Sequence, residues 1–399
     1  MRQIQQIQQR LRDFGEPPDL GLGERSQSQV SVFFTRPFLA LHYATELYTA
    51  RVVLALALEL GWELKLRKGA TLDELIEDFA PQSRTAAEWM LPFLVEEELL
   101  NMDGDRYCLK GEPELDLEGR RAFADSEAPG HGANFELLDA VLRQVKPFFT
   151  EGKSGEQLLF DLTIFPLWLA FFRNENLNYY PNNLLTLIAL REGLPPNARV
   201  MELGGGAGSF AQLLARDAAE AGYLDRISEY RFTDIAPAFL RKAQRDLREK
   251  APGLPFTFSG LDINKPFDCQ NLGGGLDGSD GLFDAIVGIN VLHVATDLQD
   301  VLRRLRGLLK PGGRLILGEC MKPDLARPIY MEFFFKFVKS FTEVTLDPDL
   351  RPCSGFLTPE VWEKALLAAG FSRIKQVPDI RSVMEACPTF YVGAMAAEA

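Results

Sequence analysis

From residue 198 onward the chain repeats one unit, a short apolar run of strand length followed by a segment with helical spacing. Residues 198–203 form an apolar strand ending in a glycine loop, and a helix over 209–220 follows. Residues 230–234 are a second strand. The helix after it, over 237–250, has proline in its first turn. Residues 254–259 and 283–289 read as further strands. Thr296-Asp-Leu-Gln299 caps a helix through Leu309 that Pro311-Gly-Gly313 stops, and 314–319 is a fifth strand. Thr358-Pro359-Glu360 opens a helix that Gly370 ends, with closing strands at 374–377 and 389–392. Parallel strands need crossover helices, so this alternation predicts an α/β domain with a mostly parallel, doubly wound sheet. Such sheets bind ligands beyond the carboxyl ends of their strands. The strand-end residues are therefore the first place to look for chemistry.

The preceding half reads differently. Residues 36–60 carry apolar residues at helical spacing, with Gly61 as a stop. Thr71-Leu-Asp-Glu74 is a capping box opening a short helix that Pro81 breaks. A second helix begins near Thr85 and runs to Leu100. A turn at 101–105 and a strand at 106–109 complete a helix, turn, helix, hairpin order, the pattern of a winged helix. Such a module binds DNA or serves packing and dimerisation. Between Glu59 and Lys110 there are twelve acidic residues against six basic ones, which favours packing, because a groove binder needs the opposite sign. Residues 135–192 form another helical stretch, and the nearly all-apolar 158–172 is expected to be buried. The expected division is 1–134 as a helical, winged-helix-like domain, 135–192 as a helical linker and lid, and 193–399 as the catalytic domain.

At 399 residues the chain is too long for one ordinary core. Its net charge of −13 repels nucleic-acid phosphates and anionic head groups, so neither nucleic acid nor membrane is an expected partner. Met1 to Leu20 is polar and Gln-rich, not a signal pattern, and no apolar run is long enough to span a bilayer. Five scattered cysteines without CxxC spacing read as reduced thiols in a cytoplasmic protein. Only three histidines are present, so a His-rich metal site is not expected, which leaves a carboxylate site as the alternative to no metal at all. The glycine-rich 272–281 lacks a preceding strand and a following helix of the right kind, and reads as a surface loop.

Glu202-Leu-Gly204-Gly-Gly206-Ala-Gly208 lies where the first of these strands meets its helix. Glycines there let the backbone approach a ligand, and the helix N-terminus adds a positive dipole end. The spacing departs from GxGxxG. Glu202 suits a cationic sulfonium amino acid better than a pyrophosphate. Asp234, at the end of the next strand, can accept the ribose hydroxyls of an adenosine. Asp262, after the following strand, can take the adenine amino group, with Ile263 packed on the ring. Each acid alone reads equally well as a cap or a solvated loop residue. Three in register favour a nucleoside site.

Here the chain resembles the class I S-adenosylmethionine-dependent methyltransferases, with their Rossmann-like sheet. Over 198–319 it resembles more closely the C-methyltransferase domains embedded in polyketide synthases. The residues that carry this are Tyr230-Arg-Phe-Thr-Asp234-Ile-Ala-Pro-Ala-Phe-Leu240, Gly260-Leu-Asp-Ile263, Asn290-Val-Leu-His293 with Ala295-Thr296, and Leu309-Lys-Pro-Gly-Gly313 leading to Glu319. The front part looks more like that of small-molecule O-methyltransferases. The resemblance implies S-adenosylmethionine as cofactor, a contact to it from Asn290, and a catalytic dyad of His293 and Glu319. Val294 departs from the alanine usual after that histidine. Both dyad residues end adjacent strands, so a neutral imidazole oriented by a carboxylate is a fitting base for a carbon between two carbonyls. A histidine that caps the next helix, and a glutamate paired with an arginine, are the structural alternatives.

Tyr179-Tyr180-Pro-Asn182-Asn183 and Tyr330-Met-Glu332-Phe-Phe334-Phe335 flank the sheet core and suit a lid or pocket wall; packing or a dimer interface explains them equally. Tyr179, Tyr180, Asn182, Asn183 and Phe334 are the pocket candidates, and Cys320 reads as an ordinary buried thiol. The leading expectation is C-methylation α to a carbonyl of a polyketide or β-ketoacyl substrate, either free or held by an acyl carrier protein, in a homodimer. An O-methyltransferase acting on a phenol or enol is the first alternative, and a non-catalytic cofactor-sensing regulator the second. An acidic carrier would need a local basic patch, for which Arg303, Arg304 and Arg306 are candidates.

Overall fold

The computed structural model describes residues 18–270, 283–387 and 389–399. The segment 272–281, read above as a surface loop, lies outside the described residues. The front half is organised around helix α1 (Arg36–Glu59), buried on almost every face from Phe38 to Ala57. A helix with no polar face must run through a core. Gly61, at φ 79°, ends it in the left-handed conformation that a side chain disfavours. The Thr71 capping box is formed as expected.

Helix α2 (Ser83–Glu96) starts earlier than the sequence suggests and stops short of Leu100, because Glu98 at φ 56° turns the chain. Leu100 instead opens a hairpin, β1 (Leu100–Asp103) against β2 (Arg106–Leu109). The 158–172 stretch is only partly buried. Leu159, Ile164, Trp168 and Phe171 face the core, whereas Leu162 is 91% exposed and Phe160 44%. Two short helices, Gly155–Leu159 and Phe165–Phe171, each present one side inward, and the turn between them is left outside.

Helix α3 (Tyr180–Arg191) joins this half to the sheet. The alternating elements follow as β3 (Ala198–Leu203), α4 (Ser209–Ala221), β4 (Ile227–Asp234), α5 (Pro237–Lys250), β5 (Phe256–Gly260), β6 (Phe283–Ile289), α6 (Leu298–Gly307), β7 (Leu309–Cys320), α7 (Pro359–Ala368), β8 (Ser372–Val377) and β9 (Val392–Glu398). The seven strands lie in the order β5-β4-β3-β6-β7-β9-β8. Strands β3 to β7 run parallel, and β9 pairs antiparallel with β7 and β8. The winding reverses between β3 and β6, which opens a crevice beyond their carboxyl ends.

Three local expectations need correction. Asp297, not Thr296, caps α6, accepting the Asp300 N–H at 2.9 Å. The helix has already ended when Pro311-Gly-Gly313 arrives, and those residues lie within β7. The last strand begins at Val392, where the sequence-based strand ends. Its alanines have weak strand propensity, and pairing on both sides overrides it. One apolar core runs from α1 through α3 onto one face of the sheet, and a second lies on the other face under α6 and α7. A Cβ on Gly318 would sit 1.9 Å from Thr186 Oγ1, so glycine is what lets α3 press against β7. Among the described residues no helix is long and apolar enough to cross a membrane.

Candidate active site

The glycine loop leaves β3 in a conformation that admits no side chain. Gly204 has φ 55°, and a Cβ there would lie 2.6 Å from Val291 Cγ2. At Gly205 it would fall 2.2 Å from the Phe232 ring. The loop is therefore packed from behind and bare toward the crevice. Asp234, ending β4, braces it. Gly206 N–H donates to Oδ2 at 2.9 Å and Ala236 N–H to Oδ1 at 2.7 Å. Each carboxylate oxygen keeps a further lone pair. Burial pushes the Asp234 carboxyl above its ordinary range, partly offset by these two donors.

A cavity of about 200 Å³ opens over this loop. Gly204, Gly205, Gly206, Asp234, Asn290 and His293 form its sheet side. Polar side chains from the front half also line it: Thr45 from α1, Asn134 from the helix Gly132–Gln144, Asn178 from the turn before α3, and Asn182 from α3. Aromatic rings supply the rest, among them Phe171, Tyr179, Tyr330, Phe334 and Phe335. The segment Tyr330–Phe337 is held there by Glu332, which is fully buried. Glu332 accepts Trp89 Nε1–H at 2.9 Å and lies 3.2 Å from Lys336 Nζ and 3.5 Å from Lys322 Nζ. Phe333 stacks on Trp89 with centroids 5.8 Å apart. The aromatic wall is thus bolted to α2 of the front half.

His293 and Glu319 meet at one end of the cavity. His293 Nδ1 lies 2.6 Å from Glu319 Oε2. The other oxygen, Oε1, accepts the N–H groups of Val291 at 3.1 Å and Leu292 at 2.8 Å, so the carboxylate cannot rotate away. A carboxylate oxygen only accepts, so in the neutral ring Nδ1 carries the proton and Nε2 keeps its lone pair. Arg351, itself buried, donates to the His293 carbonyl at 2.7 Å and also to that of Ala295, which clamps the turn. Phe356 and Phe341 stand edge-on to the imidazole, with centroids at 4.9 and 5.5 Å. Such an apolar wall excludes water from a base. Asn290, at φ 51°, turns the chain from β6 toward His293, and its Oδ1 accepts Cys320 N–H at 3.0 Å.

Not every residue singled out in the sequence reaches this cavity. Glu202 lies beneath the loop, 2% exposed, and accepts the Tyr230 hydroxyl at 2.7 Å. Burial pushes its carboxyl up to about 8, and the carboxylate is engaged by Tyr230 and not presented to the cavity. Asp262 turns its carboxylate to the Asn264 N–H at 3.0 Å and to Lys265 at 3.3 Å, and Ile263 is packed in the second core. Neither is on the cavity wall, and nor is Gly208, which starts α4 at φ 75°. Tyr179 and Asn182 line the cavity; Tyr180 and Asn183 do not. Tyr180 packs on Phe33, and Asn183 bonds Asn174 and Ser209. Burial holds the Tyr179 phenol and the Cys320 thiol above their ordinary ranges. The sequence reading missed Thr45, Asn134 and Asn178. A polar Thr45 inside a helix buried on all sides was the available signal. Among the described residues no group of three His, Cys, Asp or Glu side chains is placed to hold a metal ion.

Residues 201–315 match the family model described as a methyltransferase domain. The chain is 30% identical over 263 residues to highly reducing polyketide synthase 2 of Gibberella zeae, covering 64% of this chain and 10% of that protein. It is 29% identical over 245 residues to polyketide synthase ThaQ of Burkholderia thailandensis, covering 60% and 11%. The chain thus spans about a tenth of the length of these relatives. Among solved structures, the CurJ carbon methyltransferase superposes with TM-score 0.71 at 22% identity, covering 100% of this chain and 98% of that one. The citrinin polyketide synthase CMeT domain gives 0.70 at 18%, with 94% of each chain covered.

The chain thus carries a match to a methyltransferase domain over residues 201–315 and shares its overall fold with a carbon methyltransferase structure. It is similar to the CurJ carbon methyltransferase, to the citrinin polyketide synthase CMeT domain and, in sequence, to polyketide synthases. The site fits the cofactor: the loop is a cradle that any Cβ at Gly204 or Gly205 would disrupt, and Asp234 presents free carboxylate lone pairs beside it.

Proposed function

We propose that this chain methylates the carbon between the ketone and the thioester carbonyl of a β-ketoacyl substrate, with His293 as the base. The observation that carries this reading is the 2.6 Å His293–Glu319 pair on the wall of the cavity that also contains the glycine cradle. The similarity to polyketide synthases and to structures titled carbon methyltransferase supports it.

Gly204, Gly206, Asp234 and Asn290 hold the cofactor. When bound, S-adenosylmethionine supplies an electrophilic methyl group on a sulfonium. The chain's own residues do the rest. Nε2 of His293 takes the proton from the substrate carbon, and the electron pair left behind spreads onto the flanking carbonyl oxygens. The proton remains on the ring, now an imidazolium, which Glu319 Oε2 stabilises through Nδ1–H. The enolate pair forms the bond to the methyl carbon as the methyl–sulfur bond breaks, with its electrons staying on sulfur as a neutral thioether, and the imidazolium then returns its proton to solvent. Asn182, and Asn178 with an Oδ1 that accepts no hydrogen bond, are the polar groups available to orient the acyl chain, and Phe335, Phe341 and Phe356 keep water from the base. A base positioned in this way contributes about 10² to 10⁴ in rate. His293→Ala is therefore expected to lower turnover by at least ~100-fold while cofactor affinity, read by calorimetry, stays within about twofold. Retained turnover in that variant would remove His293 as the base.

A further inference from the structure

Helix α5 stands out in a chain of net charge −13. It carries five basic residues, Arg241, Lys242, Arg245, Arg248 and Lys250, against two acidic ones, Asp246 and Glu249. Asp246 is already shared, lying 2.6 Å from Lys242, 2.9 Å from Arg245 and 3.7 Å from Lys250. Only Ala243 and Leu247 of the helix are buried, and Arg241, Arg245 and Arg248 face solvent. The surplus is positive and presented outward.

Its location gives the surplus a use. Phe239, in the first turn of α5, is part of the active-site cavity wall. A second groove of about 410 Å³ lies beside the helix, and its charged lining is Arg173, Lys242 and Lys250 against the single acid Glu175. The two share Ala207 and Ser209, so the basic groove opens onto the loop that cradles the cofactor. Exposed apolar residues occur near the start of the helix: Ile235, two residues before it, is 65% exposed, and the exposed Leu162 lies three residues before Phe165, whose ring meets that of Phe239 at 5.2 Å. By contrast, none of Arg303, Arg304 and Arg306 lines the cavity or the groove, and Arg304 is spent on Asp300 and the Phe267 ring.

We propose that the basic face of α5 docks an acidic carrier protein, and that the groove beside it takes the phosphodiester of the arm bearing the acyl thioester. This rests on the reading of the substrate as a thioester. Positive residues near exposed apolar ones complement a carrier rich in Asp and Glu, and steer its approach. A phosphodiester passing Arg173, Lys242 and Lys250 is neutralised where the arm turns into the cavity.

The test compares two substrates: acetoacetyl on a phosphopantetheinylated acyl carrier protein, and the same acyl group on N-acetylcysteamine. The triple variant R241E/R245E/R248E is expected to raise KM for the carrier substrate at least ~10-fold. The short thioester should be unaffected, and cofactor affinity unchanged. Equal effects on both substrates, or none on the carrier, would overturn the docking surface and leave C-methylation standing. If the wild type turns over neither substrate, binding of the charged carrier decides. Binding that the triple variant loses keeps the docking surface while the C-methylation reading fails; no binding overturns both. Tighter wild-type binding of single-stranded RNA than of the carrier would overturn the choice of occupant.

Discussion

At the scale of single residues, the proposed chemistry depends on which nitrogen of His293 carries its proton. Glu319→Gln tests this without removing bulk. The amide oxygen still accepts the Val291 and Leu292 N–H groups, but the amide nitrogen turned toward Nδ1 now donates. The ring must then carry its proton on Nε2, and the base facing the cavity is blocked. Turnover is expected to fall on the order of 10² or more with cofactor affinity retained, read by steady-state kinetics and calorimetry. Glu202 makes a different prediction. Its folded-state pKa of about 8 lies above the ordinary 4.5. Between these values the folded chain holds a proton that the unfolded chain has released, so this group makes stability fall as pH rises from about 4.5 to about 8. In Glu202→Gln that part of the slope disappears, so the difference in Tm between variant and wild type should grow across the window. A difference that stays flat would remove Glu202 from the titration. The pairing of His293 with Glu319 was legible because the family resemblance implied it and both lie at the carboxyl ends of neighbouring strands. The buried position of Glu202 was not. Alternation along β3 gives the side of the sheet, but not whether a hydroxyl such as that of Tyr230 waits there.

At the scale of elements, two features hold the cavity in shape. The glycine loop tolerates no Cβ at Gly204, so Gly204→Ala must displace Val291, two residues before His293, and leave a strained φ. It is expected to weaken cofactor binding at least ~10-fold, the equivalent of about 1.4 kcal/mol, while far-UV circular dichroism shows a folded chain. The second feature is Glu332, whose carboxylate compensates Lys322 and Lys336 and accepts the Trp89 N–H. Glu332→Ala leaves two buried cations without a partner and should cost about 3–5 kcal/mol by urea denaturation. An effect under ~1 kcal/mol would mean the cluster is not holding the wall. The loop and the strand–helix alternation could be read from the sequence, since both follow from local pattern. The Glu332 tie could not, because it joins residues 243 positions apart. Strand β9 escaped for a third reason: its alanines carry no strand signal, and only its neighbours make it one.

At the scale of the whole molecule, the two halves share one site. The sheet brings the glycine cradle and the dyad, and the front half brings Thr45, Asn134 and Asn178. The sequence identified the first set through motifs at strand ends. It gave little sign of the second, because polar residues in helices and the turns between them become a pocket wall only after the helices are packed. Charge acts at this scale too. With α5 as the docking face, KM for a carrier-bound substrate should rise steeply between 50 and 200 mM salt (conditions chosen to span the ~8–10 Å screening length), and that for a short thioester should not. The central claim is where the methyl group goes. Trideuteromethyl S-adenosylmethionine, incubated with the chain and an acetoacetyl thioester, gives a product whose label NMR and mass spectrometry can locate. A label on the α carbon, lost in His293→Ala, is the result expected. A label on oxygen, or carbon labelling that persists in that variant, would contradict it.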